Sequence, residues 1–327
     1  MLPLLGNIYG KIANLRNRLY ERGVFESYDL GARTISIGNI TTGGTGKTPL
    51  VAYVARILAE RGETVCILTR GYGRTDTSKR VLVSDGDQLL ASPEQSGDEP
   101  YELAQKLIGK AIIIADADRV AAAEWAKRKF GVTAFVLDDG FQHRKAKRDV
   151  DIVCIDATNP FGGGKMLPAG RLREPLSNLE RADAVVITRS DLVAKDEFFN
   201  LSSWISNLAP KALVFSTTIE INIADNKGKA AFAFCGLGNP KGFFDQLTRR
   251  GIDVVGTRVF KDHHRYSQSD VDAIENEARL ANADILLTTA KDVVKLSEIK
   301  FRFPFSVVEI EIKIDSAERF EKFILRP

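Results

Sequence analysis

Apolar positions along this chain follow two alternating rhythms. Short continuous runs rich in aliphatic residues occupy Thr34 to Ile37, Thr64 to Leu68, Ala111 to Ala115, Ala134 to Leu137, Asp151 to Ile155 and Ala184 to Thr188. Runs of this length and character read as strands buried on both faces. Between several of them the spacing lengthens to that of helices, at Leu50 to Glu60, Pro100 to Leu107 and Asp118 to Lys129. Such alternation predicts an α/β fold, a mainly parallel sheet covered on both faces as an α/β/α sandwich.

Past residue 220 the pattern restarts. Asp225 to Lys229 is polar and turn-like. Strands are expected at Ala231 to Phe234, Asp253 to Phe260 and Asp284 to Thr288, with a helix over Ser269 to Leu280. Together they predict a second, smaller α/β domain. The last strand, Ser306 to Ile314, is expected to pair with Thr217 to Ile223 as a two-strand connector. The organisation expected is a helix over residues 1–23, a main domain over 24–220 and a smaller domain over 221–327.

At the N-terminus, Leu5, Ile8, Tyr9, Ile12, Leu15 and Leu19 recur at helical spacing. Lys11, Arg16, Arg18 and Arg22 oppose a single acid, Glu21, and Gly23 is a natural stop. A basic amphipathic helix can lie in the plane of an anionic membrane. From spacing alone, packing on its own domain explains the helix equally well.

Composition narrows the class. A chain of 327 residues exceeds what one core usually holds, which agrees with two domains. Hydrophobic residues make up 44% and charged residues 27%, ordinary for a globular protein. A net charge of +3 is too small to argue for nucleic acid. Cys66, Cys154 and Cys235 each sit inside an apolar run, which predicts buried free thiols and neither a disulfide frame nor a zinc site. No apolar stretch approaches the ~20 residues of a membrane span, and no cleavable signal pattern is expected.

The densest chemistry follows the first strand. Residues 38 to 48 read Gly38-Asn39-Ile40-Thr41-Thr42-Gly43-Gly44-Thr45-Gly46-Lys47-Thr48. A glycine-rich turn between strand and helix lets backbone N–H groups surround phosphate oxygens. Lys47 adds a point charge, Thr48 is placed to ligate Mg²⁺, and the following helix aims its N-terminus at the same anion. Thr42 to Thr48 are therefore the expected nucleotide-binding residues of a P-loop NTPase-like fold. Thr41 departs from the strict pattern, which places glycine there.

In parallel α/β sheets, ligands bind beyond the carboxyl ends of the strands. Those ends nominate Arg70 and Tyr72, Arg119, Asp138 and Asp139, and Gln142 and His143. An aspartate ending an apolar strand is where P-loop proteins hold Mg²⁺. Adjacent residues of a strict strand face opposite ways, so one aspartate leads and the other helps; the bland alternative is a pair capping the next turn. Ser96-Gly97-Asp98-Glu99-Pro100 reads by itself as a helix start with Asp98 as N-cap. Phe161 to Pro175, with Gly162-Gly163-Gly164-Lys165 and Gly170-Arg171-Leu172-Arg173, reads as a mobile loop whose cations could steady phosphates. Two other classes fit part of the pattern. Thr188-Arg189-Ser190-Asp191 after a strand loosely resembles the Asn/Thr-Lys-x-Asp base-reading segment of GTPases, which suggests a regulatory GTPase or ATPase switch. A non-catalytic nucleotide-binding scaffold is the other.

Taken together, Gly38 to Pro49, Thr69 to Arg74, Ser96 to Pro100, Asp138 to His143, Gly170 to Pro175 and Asp262-His263-His264 resemble the tetraacyldisaccharide 4′-kinase family. The motifs run in the family's order over almost the whole chain, and the Thr41 departure belongs to the family's own version of the loop. The resemblance implies transfer of the γ-phosphoryl of ATP, with Mg²⁺, to the 4′-hydroxyl of a tetraacyldisaccharide 1-phosphate, giving a precursor of lipid A. It implies work at the cytoplasmic face of the inner membrane, with the N-terminal helix on that anionic surface; a monomer is expected. It also implies roles. Asp98 would be the base and His263 its partner from the second domain. Thr48 with Asp138 and Asp139 would organise Mg²⁺. Arg70, Tyr72, Glu99, Arg119, Gln142, His143 and Arg171 would contact substrate or phosphate.

Overall fold

Six of the seven strands in the first two hundred residues form where the apolar runs place them. In the computed structural model, which describes residues 2–222, 228–237, 240–261, 264–296 and 299–326, the chain opens with α1 (Leu2–Glu21), β1 (Arg33–Asn39), α2 (Lys47–Glu60), β2 (Val65–Thr69) and β3 (Val81–Ser84). It continues through α3 (Pro93–Ser96), α4 (Asp98–Lys106), β4 (Ala111–Ala115), α5 (Arg119–Phe130) and β5 (Ala134–Asp138). Then come β6 (Val150–Asp156), β7 (Ala184–Thr188), α6 (Lys195–Leu208) and β8 (Leu213–Asn222). These strands lie in the order β8-β7-β6-β1-β5-β2-β4-β3. The pairs from β4 across to β7 are parallel, as is β7 with β8, while β3 is an antiparallel edge on β4.

Successive residues of a strand face opposite sides, and the core divides accordingly. Val65 and Ile67 of β2 join Ile35, Ile37, Leu50, Val54, Leu58 and Leu103 under α2 and α4. Cys66 and Leu68 turn the other way, to Ala122, Ala126 and Phe135 under α5. On that same side Val153, Ile155, Val185 and Ile187 meet Ile205 of α6. Because both faces are covered, the strands read as continuous apolar runs. The three cysteines are buried and free, as expected. Burial pushes the Cys66 and Cys154 thiols up, which makes them inert.

By contacts, the chain divides into Met1–Thr218 with Ile312–Pro327, and Ile219–Glu311. The second unit contains β9 (Ala230–Cys235), α7 (Pro240–Arg249), β10 (Asp253–Val259), α8 (Gln268–Leu280), β11 (Ile285–Thr289) and α9 (Ala290–Val293), and most of β12 (Phe305–Ile314). Its parallel strands are ordered β10-β9-β11-β12. The chain then returns to the first unit through α10 (Ala317–Ile324). There Asp315 N–H donates to Ser216 O at 3.1 Å, and Phe320 packs edge-on against Phe215, with ring centroids 5.1 Å apart. The polar turn expected from Asp225 to residue 227, the end of the connector at Ile223, the Gly238-Asn239 step and the Asp262-His263 pair lie outside the described residues.

One glycine fixes how closely β1 approaches the turn after β5. A Cβ on Gly38 would fall 2.6 Å from the backbone N of Phe141, whose ring is fully buried. Gly38→Ala is therefore expected to destabilise the fold by about 1–3 kcal/mol, read as a lower urea midpoint. An unchanged midpoint would show that the turn can move aside.

Candidate active site

The phosphate loop is shaped by backbone and not by side-chain caps. Gly43 has φ 113°, and Gly46, the residue before α2, has φ 75°. Both values lie in the region that favours glycine. Gly44 is open on its Cβ side. Asn39, at the end of β1, ties the loop across itself: its Nδ2 donates to Thr45 Oγ1 at 3.0 Å and to Gly43 O at 3.4 Å. Lys47 and Thr48 open the first turn of α2, where backbone N–H groups lack helical partners.

Thr41, the position departing from the strict pattern, forms an antiparallel bridge with Leu172. This bridge corrects the expectation of a mobile loop over Phe161 to Pro175. Thr42 N–H donates to Arg171 O at 2.8 Å, and Arg173 N–H donates to Ile40 O at 2.8 Å. Arg171 Nε donates back to Thr42 O at 3.0 Å. The segment is thus a lining of the phosphate loop. Its pairing partners are distant in sequence, which hid the arrangement.

The two aspartates after β5 separate as adjacent strand residues should, but by a sharper device. Asp138 ends the strand, 4% exposed, and accepts from Thr69 Oγ1 at 2.9 Å. Asp139 turns out of the strand with φ 53°. There it meets Lys47 Nζ at 3.5 Å and Arg173 Nη1 at 2.6 Å. Burial, aided by the charge of Glu99, pushes Asp138 up to about 6. Burial would raise Asp139 too, but Lys47 and Arg173 outweigh it and hold its carboxyl below the usual value. The expectation of a leading and a helping aspartate becomes two carboxylates with different charge environments.

Other nominated residues gather around this pair. Gln142 Nε2 donates to Asn39 O at 2.9 Å, and Arg173 Nη1 reaches Gln142 Oε1 at 3.4 Å. Arg119, almost fully buried at the start of α5, donates to Asp138 O at 3.4 Å. Burial lowers its guanidinium from the usual value, against the pull of Asp138 and Asp139. His143 is pushed down to about 4 by burial and by the neighbouring Arg119 and Arg148 charges, so its ring is neutral at physiological pH. Its Nε2 is buried and has no hydrogen-bond partner among the described residues. Arg70 stacks on the exposed ring of Tyr72, 5.2 Å from the centroid, and donates to its hydroxyl at 3.1 Å.

Asp98 departs from its expected capping role. The N-cap of α4 is Gly97, with φ 92°, and Asp98 and Glu99 are the acids of the first turn. A Cβ on Gly97 would fall 2.4 Å from Tyr72 O, so this turn is pressed against the loop that carries Arg70 and Tyr72. His263 lies outside the described residues. His264 does not: it meets Asp270 at 3.2 Å and stacks on Phe260, with centroids 4.6 Å apart, within the second unit. Sequence reading missed Arg173, Thr69 and Asn39. Each sits within a segment it had singled out, but only tertiary placement gives them partners.

The N-terminal helix packs the reverse of an ordinary amphipathic helix. Its buried positions are Gly6, Gly10 and Asn17. Cβ atoms on the two glycines would meet Met166, Ala169 and Pro175. Leu2, Leu4, Ile12 and Leu15 are 56%, 64%, 60% and 58% exposed.

A phosphate loop lined by cations, two charge-separated aspartates and an arginine-rich rim suit phosphoryl transfer. The model of the tetraacyldisaccharide-1-P 4′-kinase family, LpxK, matches residues 1–327. The chain belongs to that family. The tetraacyldisaccharide 4′-kinase of Halothermothrix orenii is 38% identical to it, over 99% of this chain and 92% of its own length. That of Geobacter sulfurreducens is 39% identical, over 91% and 84%. The crystal structure of the "apo" form of LpxK from Aquifex aeolicus in complex with ATP is 31% identical and superposes with a TM-score of 0.78, covering 98% of this chain and 96% of that one.

In this LpxK-family chain the raised Asp138 carries a testable cost. Its folded value of about 6 lies above the usual carboxylate value of 3.8, so the native state holds the proton more tightly than the unfolded chain. Stability attached to that proton is present below the unfolded value and lost as pH rises through about 6. Asp138→Asn is expected to raise Tm by about 2–4 °C more at pH 8 than at pH 5, where part of the loss has already occurred. A difference that fails to grow with pH would mean that Asp138 is not buried as an isolated acid.

Proposed function

We propose that this chain transfers the γ-phosphoryl group of ATP to the 4′-hydroxyl of a tetraacyldisaccharide 1-phosphate. The observation that carries this reading is the convergence of the phosphate loop, Lys47 and the Asp138-Asp139 pair in a chain that matches the kinase family from end to end. Lys47 and the loop amides hold the β- and γ-phosphates. Asp139 now supplies the counter-charge of Lys47, and a bound triphosphate offers it further anionic oxygens. Arg119 and Arg171 flank the same space and neutralise phosphate charge.

The residues fit Mg²⁺. The ion takes hard oxygens, one or two carboxylates with phosphates and water, and the buried Asp138 with Asp139 and Thr48 offers that donor set. When bound, Mg²⁺ would supply positive charge that neutralises the phosphate oxygens during transfer.

A sugar hydroxyl must lose its proton as the new O–P bond forms. Asp98 accepts that proton, and the bond to the bridging oxygen breaks, leaving its electron pair on ADP. His263 is proposed as a second catalytic residue on the family's pattern. Arg70, Tyr72, Glu99, Gln142 and His143 form the acceptor side. The neutral His143 suits a hydrogen bond to a sugar hydroxyl, a role that needs no charge.

The substrate is a lipid, and α1 offers a way to reach it. Its exposed leucines and isoleucines, with Lys11, Arg18 and Arg22 exposed beside them, suit peripheral binding to an anionic membrane at the cytoplasmic face of the inner membrane. Among the described residues no helix is long and apolar enough to cross a membrane.

Incubation with Mg²⁺, γ-labelled ATP and tetraacyldisaccharide 1-phosphate in mixed micelles tests the reaction. Label is expected on the lipid, with kcat lowered at least about a hundredfold in Asp98→Ala and little change in ATP KM. Near-normal kcat in that variant would remove Asp98 as the base. Ile12→Glu is expected to weaken sedimentation with anionic phospholipid vesicles roughly tenfold. Undiminished binding would place the membrane contact elsewhere.

A further inference from the structure

Arg74 has no part in the reaction above, yet it is almost fully buried in the loop between β2 and β3. Its guanidinium is directed at main-chain carbonyls. Nη1 donates to the O of Ala115, the last residue of β4, and to Lys79 O, both at 2.8 Å. Nη2 donates to Thr77 O at 2.8 Å. None of these acceptors is a carboxylate. A planar fork of donors used in this way holds backbone in place. Here it fastens the loop over residues 70–80 to the end of β4.

The fastened loop presses on the turn that carries Asp98. Gly71 has φ 69°. A Cβ there would fall 2.8 Å from Ser96 O, 2.9 Å from Ala115 Cβ and 3.0 Å from Arg74 Cδ. Gly97 has φ 92°, and its Cβ would fall 2.4 Å from Tyr72 O. These two glycines let the two backbones touch, with the stem of Arg74 against Gly71. Thr75 adds two bonds in the same direction: its N–H and its Oγ1 donate to Glu94 O at 2.9 Å and 2.8 Å. Asp98 follows Gly97 directly, in the first turn of α4, and Leu103 and Ala104 anchor that helix in the core. The Asp98 turn therefore rests on a core helix at one end and on the loop that Arg74 holds at the other. All of these residues belong to the first unit.

We propose that Arg74 is a positioning residue for phosphoryl transfer: through Gly71, Thr75 and Gly97 it sets the place of Asp98 relative to the end of β4, and it acts without touching a reacting atom. A general base must stand within hydrogen-bond reach of the proton it takes. A displacement of about 1 Å therefore lowers the rate of transfer, while the phosphate loop still receives its nucleotide. The inference rests on Asp98 serving as the base.

The test measures kcat and ATP KM in the mixed-micelle assay for the wild type, Arg74→Lys, Asp98→Ala and the double variant. Lysine keeps the charge but lacks the planar fork that spans three carbonyls. Arg74→Lys is expected to lower kcat roughly tenfold and to leave ATP KM within about twofold. In the Asp98→Ala background the same substitution is expected to lower the residual rate by less than about twofold, because the group it positions is gone. Equal factors in the two backgrounds would show a general structural role and overturn the proposal. An unchanged kcat in Arg74→Lys would overturn it too. Should Arg74→Lys lose its cooperative urea transition, Thr75→Val cuts the same path by removing only the Oγ1 bond to Glu94. A severalfold loss of kcat confined to the chain that retains Asp98 is then expected, and an equal loss in both backgrounds, or none, sinks the idea. Failure of the base reading looks different: Asp98→Ala alone would keep near-normal kcat, and the role of Arg74 would fall with it.

Discussion

Two adjacent carboxylates at the end of one buried strand are the constraint on which the rest of the first unit depends. Like charges this close in a weakly polar interior cannot both ionise without compensation. The left-handed turn at Asp139 swings one carboxylate toward Lys47 and Arg173 and leaves the other beside Thr69. Supplying Arg173 requires the 166–175 segment to lie along the phosphate loop, and the bridge between Thr41 and Leu172 holds it there. The next residue, Glu174, is buried in turn and takes Asn17, Asn178 and Arg181 as partners. One electrostatic requirement thus propagates from β5 through a long connection to the N-terminal helix.

The same pairing prepares the phosphate loop for an anion. Lys47 reaches Asp139 from the first turn of α2, so its ammonium already lies beside the loop that is proposed to receive phosphate. Binding a triphosphate then adds anions to an existing cation site, and little side-chain ordering remains to oppose it. Asn39 plays the corresponding part for the backbone by crossing the loop to Thr45 and Gly43. On the proposed reading, Arg119 and Arg171 add positive charge to the same region.

What the sequence made legible was local. Continuous apolar runs located the strands of the first unit, since burial on both faces leaves no other pattern. Asp118 was visible as a helix start and does accept from Val120 N and Ala121 N at 3.2 Å. The glycine-rich turn was legible because only strand, turn and helix in that order make a phosphate cradle. What stayed hidden depended on distant partners. Nothing near Arg173 in sequence announces that it will face Asp139, and the capping reading of Asp98 failed because Gly97 takes the cap position. The antiparallel edge strand β3 was also missed, since a run of four residues is too short to separate from a loop.

The N-terminal helix shows most plainly what periodicity can and cannot convey. Its spacing identified an apolar stripe correctly, but a stripe does not say what covers it. Here the small and polar positions Gly6, Gly10 and Asn17 face the protein, and the leucines face outward. Glycines permit this because they let Met166 and Pro175 approach the helix backbone. The inner face is tied to the site: Asn17 binds Glu174 at 2.7 Å, and Arg16 donates to Gln142 O at 2.9 Å. Removing the helix would therefore strip Glu174 of a buried partner and loosen the segment that carries Arg173, whatever the helix does at a surface. A truncated chain would confound membrane contact with damage to the phosphate site. Substitutions confined to the outward leucines and isoleucines separate the two, because those side chains leave the inner contacts as they are.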